Sequence, residues 1–305
     1  MSAFSDHIRS HSPHATIAAL CVVVVGLSCA AGCRRSAPAA APLATPSVTL
    51  NHDRVSQGSP LEITYKFVVV ADARFDEDFR VFVHVLDADE ELMWNDDHNP
   101  PVPTTSWKPG QTVEYTRTVF VPNYPYVGEA TIQIGLHSTK DQRRVPLAGE
   151  DVGHNSYKVA RLQLTPPTDN IITVFKEGWH PAEVVEHNAS VQWSWTKRVA
   201  TLAFKNPKKD CVLYLDLDNP SGVFHDQQEV SVALNGEEVD RFTMTPGKEL
   251  LRKIALPGAK MGDADMAEIR LSVDKTFVPA QLTPASKDTR ELGVRVFHAF
   301  VDRAR

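Results

Sequence analysis

Two stretches of this 305-residue chain gather side chains that can do chemistry. The first, Trp94-Asn95-Asp96-Asp97-His98-Asn99-Pro100, packs two carboxylates, an imidazole and amides into what reads as a loop. Its oxygens suit a hard cation, and Trp94 with the acids suits a sugar held by ring stacking and hydroxyl–carboxylate hydrogen bonds. The spacing matches no calcium-loop or zinc pattern, and Asp and Asn before Pro-Pro are also what a solvated turn uses. The second stretch runs Gly178-Trp179-His180-Pro181-Ala182-Glu183, then Trp193-Ser194-Trp195, and is joined near the end by Asp288-Thr289-Arg290-Glu291-Leu292-Gly293-Val294-Arg295. Three tryptophans within 17 residues are costly to leave in water, so they either plug a core or form an aromatic platform for sugar rings.

Two roles stay open for the charges of the second set. In one, Glu183 with Arg290, or Asp288 with Arg295, locks the opening strand of a domain to its last strand, because a guanidinium matches a carboxylate through paired hydrogen bonds. In the other, Trp179, Glu183, Trp193, Trp195 and Arg290 surround a glycan site in which planar donors and acidic acceptors flank an aromatic face.

Enzyme signatures are missing from the residues themselves. A glycosidase needs two carboxylates about 5 to 9.5 Å apart across a cleft, and no pair among the acids stands out. There is no Gly-x-Ser-x-Gly elbow, His-Glu-x-x-His helix or phosphate-cradling glycine loop. Ser156 and His154 are close in sequence but have no third partner. A non-enzyme without metal or cofactor is the expectation. The net charge of -6 is spread along the chain without a basic stripe, which argues against nucleic acid as a partner. Cys211, opening the apolar run Cys211-Val212-Leu213-Tyr214-Leu215, reads as a small buried hydrophobe.

The elements that must position these residues are strands. Leu61-Ile63-Tyr65-Phe67, Val81-Val83-Val85, Val113-Tyr115, Ile132-Ile134-Leu136 and Val159-Leu162-Leu164 alternate at or near period two, with Gly, Pro and Asn punctuation between them. A second series follows at Val199-Leu202-Phe204, Val212-Tyr214, Val230-Val232-Leu234, Val239-Phe242, Leu250-Ile254, Ile269-Leu271-Val273 and Val294-Val296. Asn235-Gly236 is a two-residue hairpin signal, since both turn positions need positive φ. Pro166-Pro167-Thr168-Asp169 separates the two series, because consecutive prolines cannot extend a central strand. The chain is therefore expected to be all-β, with two tandem antiparallel β-sandwiches over 48–166 and 170–305, the second jelly-roll-like. Before them, Arg34–Ser47 is a Pro/Ala tract expected to act as a disordered tether.

At the start of the chain, Ile17 to Gly32 is almost wholly apolar but shorter than the ~20 residues of a spanning helix, and it ends in Ala30-Ala31-Gly32-Cys33. This pattern resembles the lipobox of bacterial lipoproteins. The resemblance implies a signal peptide over 1–32, lipid on Cys33, and a place in the cell envelope. Arg34, where an inner-membrane retention signal would place Asp, points to the outer membrane. An ordinary cleaved signal peptide is the alternative. Val81-Phe82-Val83-His84-Val85-Leu86-Asp87 with Gly135-Leu136-His137 resembles immunoglobulin-like modules of bacterial surface proteins and membrane glycosyltransferases. The set formed by Gly178-Trp179, Pro181, Glu183, Trp193-x-Trp195 and Arg290-Glu291-Leu292-Gly293-Val294-Arg295-Val296 resembles accessory β-sandwich domains of bacterial glycosyltransferases and other polysaccharide-handling proteins. Together these likenesses imply a lipid-anchored, non-catalytic envelope protein that binds polysaccharide or an envelope partner. A scaffold without glycan binding and a hydrolase with an unfamiliar site are the alternatives.

Overall fold

The computed structural model describes residues 40–186 and 188–304. The expected signal peptide, the Cys33 anchor and most of the tether lie outside those residues.

In the first half the strands run, in chain order, β1 Ala44–Leu50, β2 Arg54–Ser56, β3 Pro60–Val69, β4 Phe79–Leu86, β5 Leu92–Asn95, β6 Thr112–Phe120, β7 Gly128–Ser138, β8 Arg144–Val145, β9 Glu150–Asp151 and β10 Tyr157–Thr165. The second half continues with β11 Thr173–Phe175, β12 Glu183–Val185, β13 Asn188–Trp195, β14 Val199–Lys205, β15 Cys211–Asp218, β16 Gln228–Leu234, β17 Glu237–Met244, β18 Leu250–Leu256, β19 Met266–Val273 and β20 Arg295–Arg303. The α-helix among the described residues is the single turn Pro279–Leu282.

Four sheets result. In the first half β1-β3-β6 packs on β2-β10-β7-β4-β5, with β8 on β7 and β9 on β10. In the second, β11-β14-β19-β16-β17 packs on β12-β13-β20-β15-β18. Each pair closes on its own core, as alternation demands. Leu61, Ile63, Tyr65 and Phe67 of β3 meet Val81, Val83, Ile132, Ile134, Leu162 and Leu164 from the facing sheet. Leu213, Leu215 and Leu217 of β15 meet Leu202, Val230, Val232, Ile269 and Leu271. Each such side chain contributes about 1.5–3 kcal/mol, and the free Cys211 at 1 % exposure joins the second core. The Asn235-Gly236 turn joins β16 to β17 with φ of 49° and 87°, the geometry that a right-twisted hairpin needs.

Two parts of the fold differ from the expectation. Ala44–Ser47, assigned to the tether, is the start of β1: Ala44 is fully buried and pairs opposite Val69 of β3. Pro46 is tolerated there because β1 is an edge strand and needs no donor on its open side. The tryptophan-bearing segment Asn188–Trp195 is itself a strand, although its alternation of Val191, Trp193 and Trp195 reads first as chemistry.

The sandwiches also touch each other. Lys253 Nζ and the Tyr214 hydroxyl both donate to Glu62 Oε1 on β3, at 2.6 and 3.3 Å. The His298 ring of β20 lies flat on Phe120 of β6, centroids 3.8 Å apart and planes 3° apart.

Candidate functional site

The outer face of the sheet β12-β13-β20-β15-β18 gathers aromatic rings and ionisable groups. Its composition follows from alternation. With Leu213, Leu215 and Leu217 turned into the core, Asp216 and Asp218 of β15 must emerge on the other side. Strand pairing then sets Asp218 opposite Arg295, Arg295 opposite Trp195, and Trp193 opposite Glu183. The Arg295 guanidinium donates to both Asp218 oxygens. It lies 5.0 Å from the Trp193 ring, 5.0 Å from Phe297 and 5.8 Å from Trp195.

Two polar atoms on this face are buried without a partner: Nε1 of Trp193, a donor, and Oδ1 of Asp216, an acceptor. The other Asp216 oxygen sits 3.1 Å from His298 Nδ1. Glu249, just before β18, is pushed above the usual carboxyl range by desolvation, then by the charges of Asp216 and Asp218 and a hydrogen bond with Asp216. At the β12 edge, Arg290 donates Nη1 to Glu183 Oε1 at 2.7 Å, with Nε and Nη2 on the two Asp288 oxygens at 2.9 and 2.7 Å. Those bonds hold Asp288 down to about 2.

Glu183, Trp193, Trp195 and Arg290 therefore come together. Trp195, however, is 8 % exposed and packs against the edge of Phe277, so it is the floor of the face and not its rim. Trp179 does not join them. It stacks on Phe175 at 4.3 Å and donates Nε1 to the Thr201 carbonyl on β14, belonging to the opposite sheet. Gly178 beside it has φ of 81°, and a Cβ there would stand 1.9 Å from the Val199 carbonyl oxygen, so the close approach that places Trp179 requires glycine. The Asp288–Arg295 alternative for the lock is not formed, since Asp288 is taken by Arg290 and Arg295 by Asp218.

The Trp94–His98 loop is built inward. Asp96 accepts Nε and Nη2 of Arg117 at 2.9 and 2.8 Å and the Tyr65 hydroxyl at 3.1 Å, so both oxygens are occupied. Asp97 Oδ1 accepts the Val83 amide at 2.9 Å. His98, 5 % exposed, has Nδ1 at 2.6 Å from the Asp96 carbonyl, which can only accept; Nδ1 thus carries the proton, and Nε2 accepts from the Tyr115 hydroxyl at 2.8 Å. Burial lowers its basicity, and Trp94 packs half-buried on the first core. This cluster ties β5 to β6 and points no open acceptor set at solvent, in place of the cation or sugar site that its composition suggests.

Asp216, Asp218, Glu249, Phe297 and His298 enter the site from outside the residues picked out by sequence reasoning, and Arg295 enters it with a different partner from the one expected. A signal for two of them was present: Leu213-Tyr214-Leu215-Asp216-Leu217-Asp218 alternates leucine with polar residues, which marks both acids as sharing one face.

No protein-family profile matches the chain, and no curated protein matches it in sequence. Solved structures align with it only weakly. A family GH115 4-O-methyl-α-glucuronidase, BtGH115A, is 17% identical over 48% of this chain and 20% of its own, with a TM-score of 0.32. The β-glucuronidase of Bacteroides uniformis is 11% identical over 85% of this chain and 30% of its own, at 0.29. The CBM22-1–CBM22-2 tandem of Paenibacillus barcinonensis Xyn10C is 10% identical over 85% of this chain and 91% of its own, at 0.28. The chain thus spans less than a third of either glucuronidase that it aligns with.

Proposed function

We propose that this is a lipid-anchored, non-catalytic envelope protein whose second sandwich binds glycan on the outer face of β12-β13-β20-β15-β18. The observation that carries the reading is the composition of that face. Trp193 and Phe297 supply apolar ring surface, Arg295 supplies planar donors, and Asp216 and Asp218, 8 % and 9 % exposed at the floor of the face, supply acceptors about two strand spacings, ~10 Å, from the tryptophan. A sugar presents the complement: a C–H face for the rings and hydroxyls that both donate and accept. The unpartnered Trp193 N–H and Asp216 oxygen are a donor and an acceptor that hydroxyls can satisfy once the side chains covering them move aside.

The acids also favour binding over hydrolysis. Asp216 sits beside His298 at 3.1 Å, and a glycosidase needs a pair of carboxylates set about 5 to 9.5 Å apart across a cleft. Asp218 is neutralised by Arg295.

A glycan array with the full-length protein and its Trp193→Ala variant tests the reading. Binding is expected for the former and loss of signal for the latter, with circular dichroism unchanged. Should Trp193→Ala unfold, Phe297→Leu serves as the second probe. No glycan bound by the unsubstituted protein, or equal binding by the variants, overturns the proposal. The anchor is tested separately by mass spectrometry of the mature N-terminus, which should begin at acylated Cys33.

A further inference from the structure

The outer face of the other sandwich carries a different kind of chemistry. Pairing of β4, β7 and β8 sets Arg80 opposite His137 and His137 opposite Arg144. Since Val81, Leu136 and Val145 turn into the core, these three basic side chains stand in one row across three strands on the outer face. The chain as a whole is acidic, with a net charge of -6, so the row does not reflect general composition.

The arginines of the row also lack the partners that others in this protein have. Arg117, Arg143, Arg290 and Arg295 each sit on a carboxylate. Arg80 instead donates to the Asp97 backbone carbonyl at 2.8 Å, and Arg144 to the His154 carbonyl at 3.3 Å. Neither guanidinium meets a carboxylate among the described residues, although both are half-buried. Arg80 Nε and His137 Nε2 are buried and unpartnered. The charge of Asp97 reaches His84 on this face, and its Oδ1 is already bound to the Val83 amide.

The row is held in a built setting. Phe82, 2 % exposed although on the outer face, lies over Gly135, where a Cβ would come within 2.4 Å of its ring. The Arg144 guanidinium carbon lies over the same ring, 4.1 Å from its centroid. Beside it opens a cavity of about 500 Å³ lined by Gln142, Arg144, His154 and Asn155. Three of those four have left-handed backbones, with φ of 61°, 55° and 53° for Gln142, His154 and Asn155. Each such residue costs on the order of 1 kcal/mol and is kept where surrounding structure demands it.

We infer that this face is a binding site for an oxyanion, a carboxylate, sulfate or phosphate group, received by Arg144 and Arg80 with His137 between them and the amides of Gln142 and Asn155 at its side. A guanidinium set over a ring and without a carboxylate partner keeps the two-pronged donor that such groups accept. This site is separate from the glycan-binding face of the second sandwich and does not rest on that reading.

Isothermal titration calorimetry on the full-length protein, at pH 7 and fixed ionic strength, with sodium sulfate, sodium phosphate and sodium glucuronate as separate titrants, tests the inference. Saturable binding of at least one is expected, weakened about tenfold by Arg144→Gln and by Arg80→Gln, the effect of losing one charge-assisted contact. Arg161→Gln, whose guanidinium pairs with Glu129 elsewhere, should bind as the unsubstituted protein does. Glucuronate binding identifies a sugar carboxylate; binding of phosphate or sulfate alone identifies a tetrahedral anion. If Arg144→Gln fails to fold, Arg80→Gln and Arg144→Lys carry the test. Absence of binding by all three titrants, or undiminished binding by the Arg80 and Arg144 variants, overturns the inference.

Discussion

The Glu249 carboxyl is pushed above its ordinary range by desolvation first, and then by the charges of Asp216 and Asp218. A raised folded-state value means that the folded protein keeps a proton that the unfolded chain has released. The group's contribution is then fully present below the unfolded value near 4.5 and is lost as pH rises through the higher folded value. Glu249→Gln, which cannot ionise, should raise the thermal midpoint by a few degrees at pH 7 and leave it unchanged at pH 4, as followed by scanning calorimetry. Equal midpoints at both pH values would show that no proton is held there. Asp288 runs the other way. Held down by Arg290, it stabilises above its ordinary range and loses that contribution only as pH falls toward about 2.

Among elements, the tie between β5 and β6 shows how a cluster with the composition of a binding site becomes structure. Asp96 is carried at the end of β5 and Arg117 in the middle of β6, and Arg117 sits opposite Ile63 on the inward side of its sheet. With its side chain 12 % exposed, Asp96 depends on that guanidinium for its charge to be tolerated. Arg117→Met should cost about 3 kcal/mol in urea unfolding, because it strands a largely buried carboxylate, and adding Asp96→Leu should recover most of the loss. A double variant as unstable as the single one would mean that the arginine acts through packing alone. The same comparison explains the strands that sequence reasoning left out. β2, β5, β8, β9, β11 and β12 have two to four residues each, too few for a period to register, and exist because a longer neighbour offers them a ladder. The longer strands of both halves were legible because Leu61-Ile63-Tyr65-Phe67 and its counterparts repeat the alternation often enough.

For the whole molecule, the seam between the sandwiches includes Glu62 with Lys253 and Tyr214, and Phe120 against His298. His298 also reaches Asp216, so the outer face of β12-β13-β20-β15-β18 abuts the first sandwich. Interfaces of this kind couple neighbouring domains without merging their cores. Phe120→Ala combined with Lys253→Ala should draw the unfolding transitions of the two sandwiches apart in scanning calorimetry; a trace identical to that of the unsubstituted protein would show that the seam contributes nothing. The all-β class, the main strands and the Asn235-Gly236 hairpin follow from sequence alone, because side-chain period and turn preference act over a few residues. Which strands become neighbours does not follow, since β12-β13-β20-β15-β18 runs out of chain order and its register is settled by packing between distant segments. That order brings Asp218 to Arg295 across 77 residues and Glu183 to Arg290 across 107. It turns tryptophans spaced like one platform into two separate packings, and a chain without a basic stripe into a sheet with the basic row Arg80-His137-Arg144. The residue types, and hence the chemistry available, were set by sequence; which of them share a face was decided by the pairing of strands far apart in the chain.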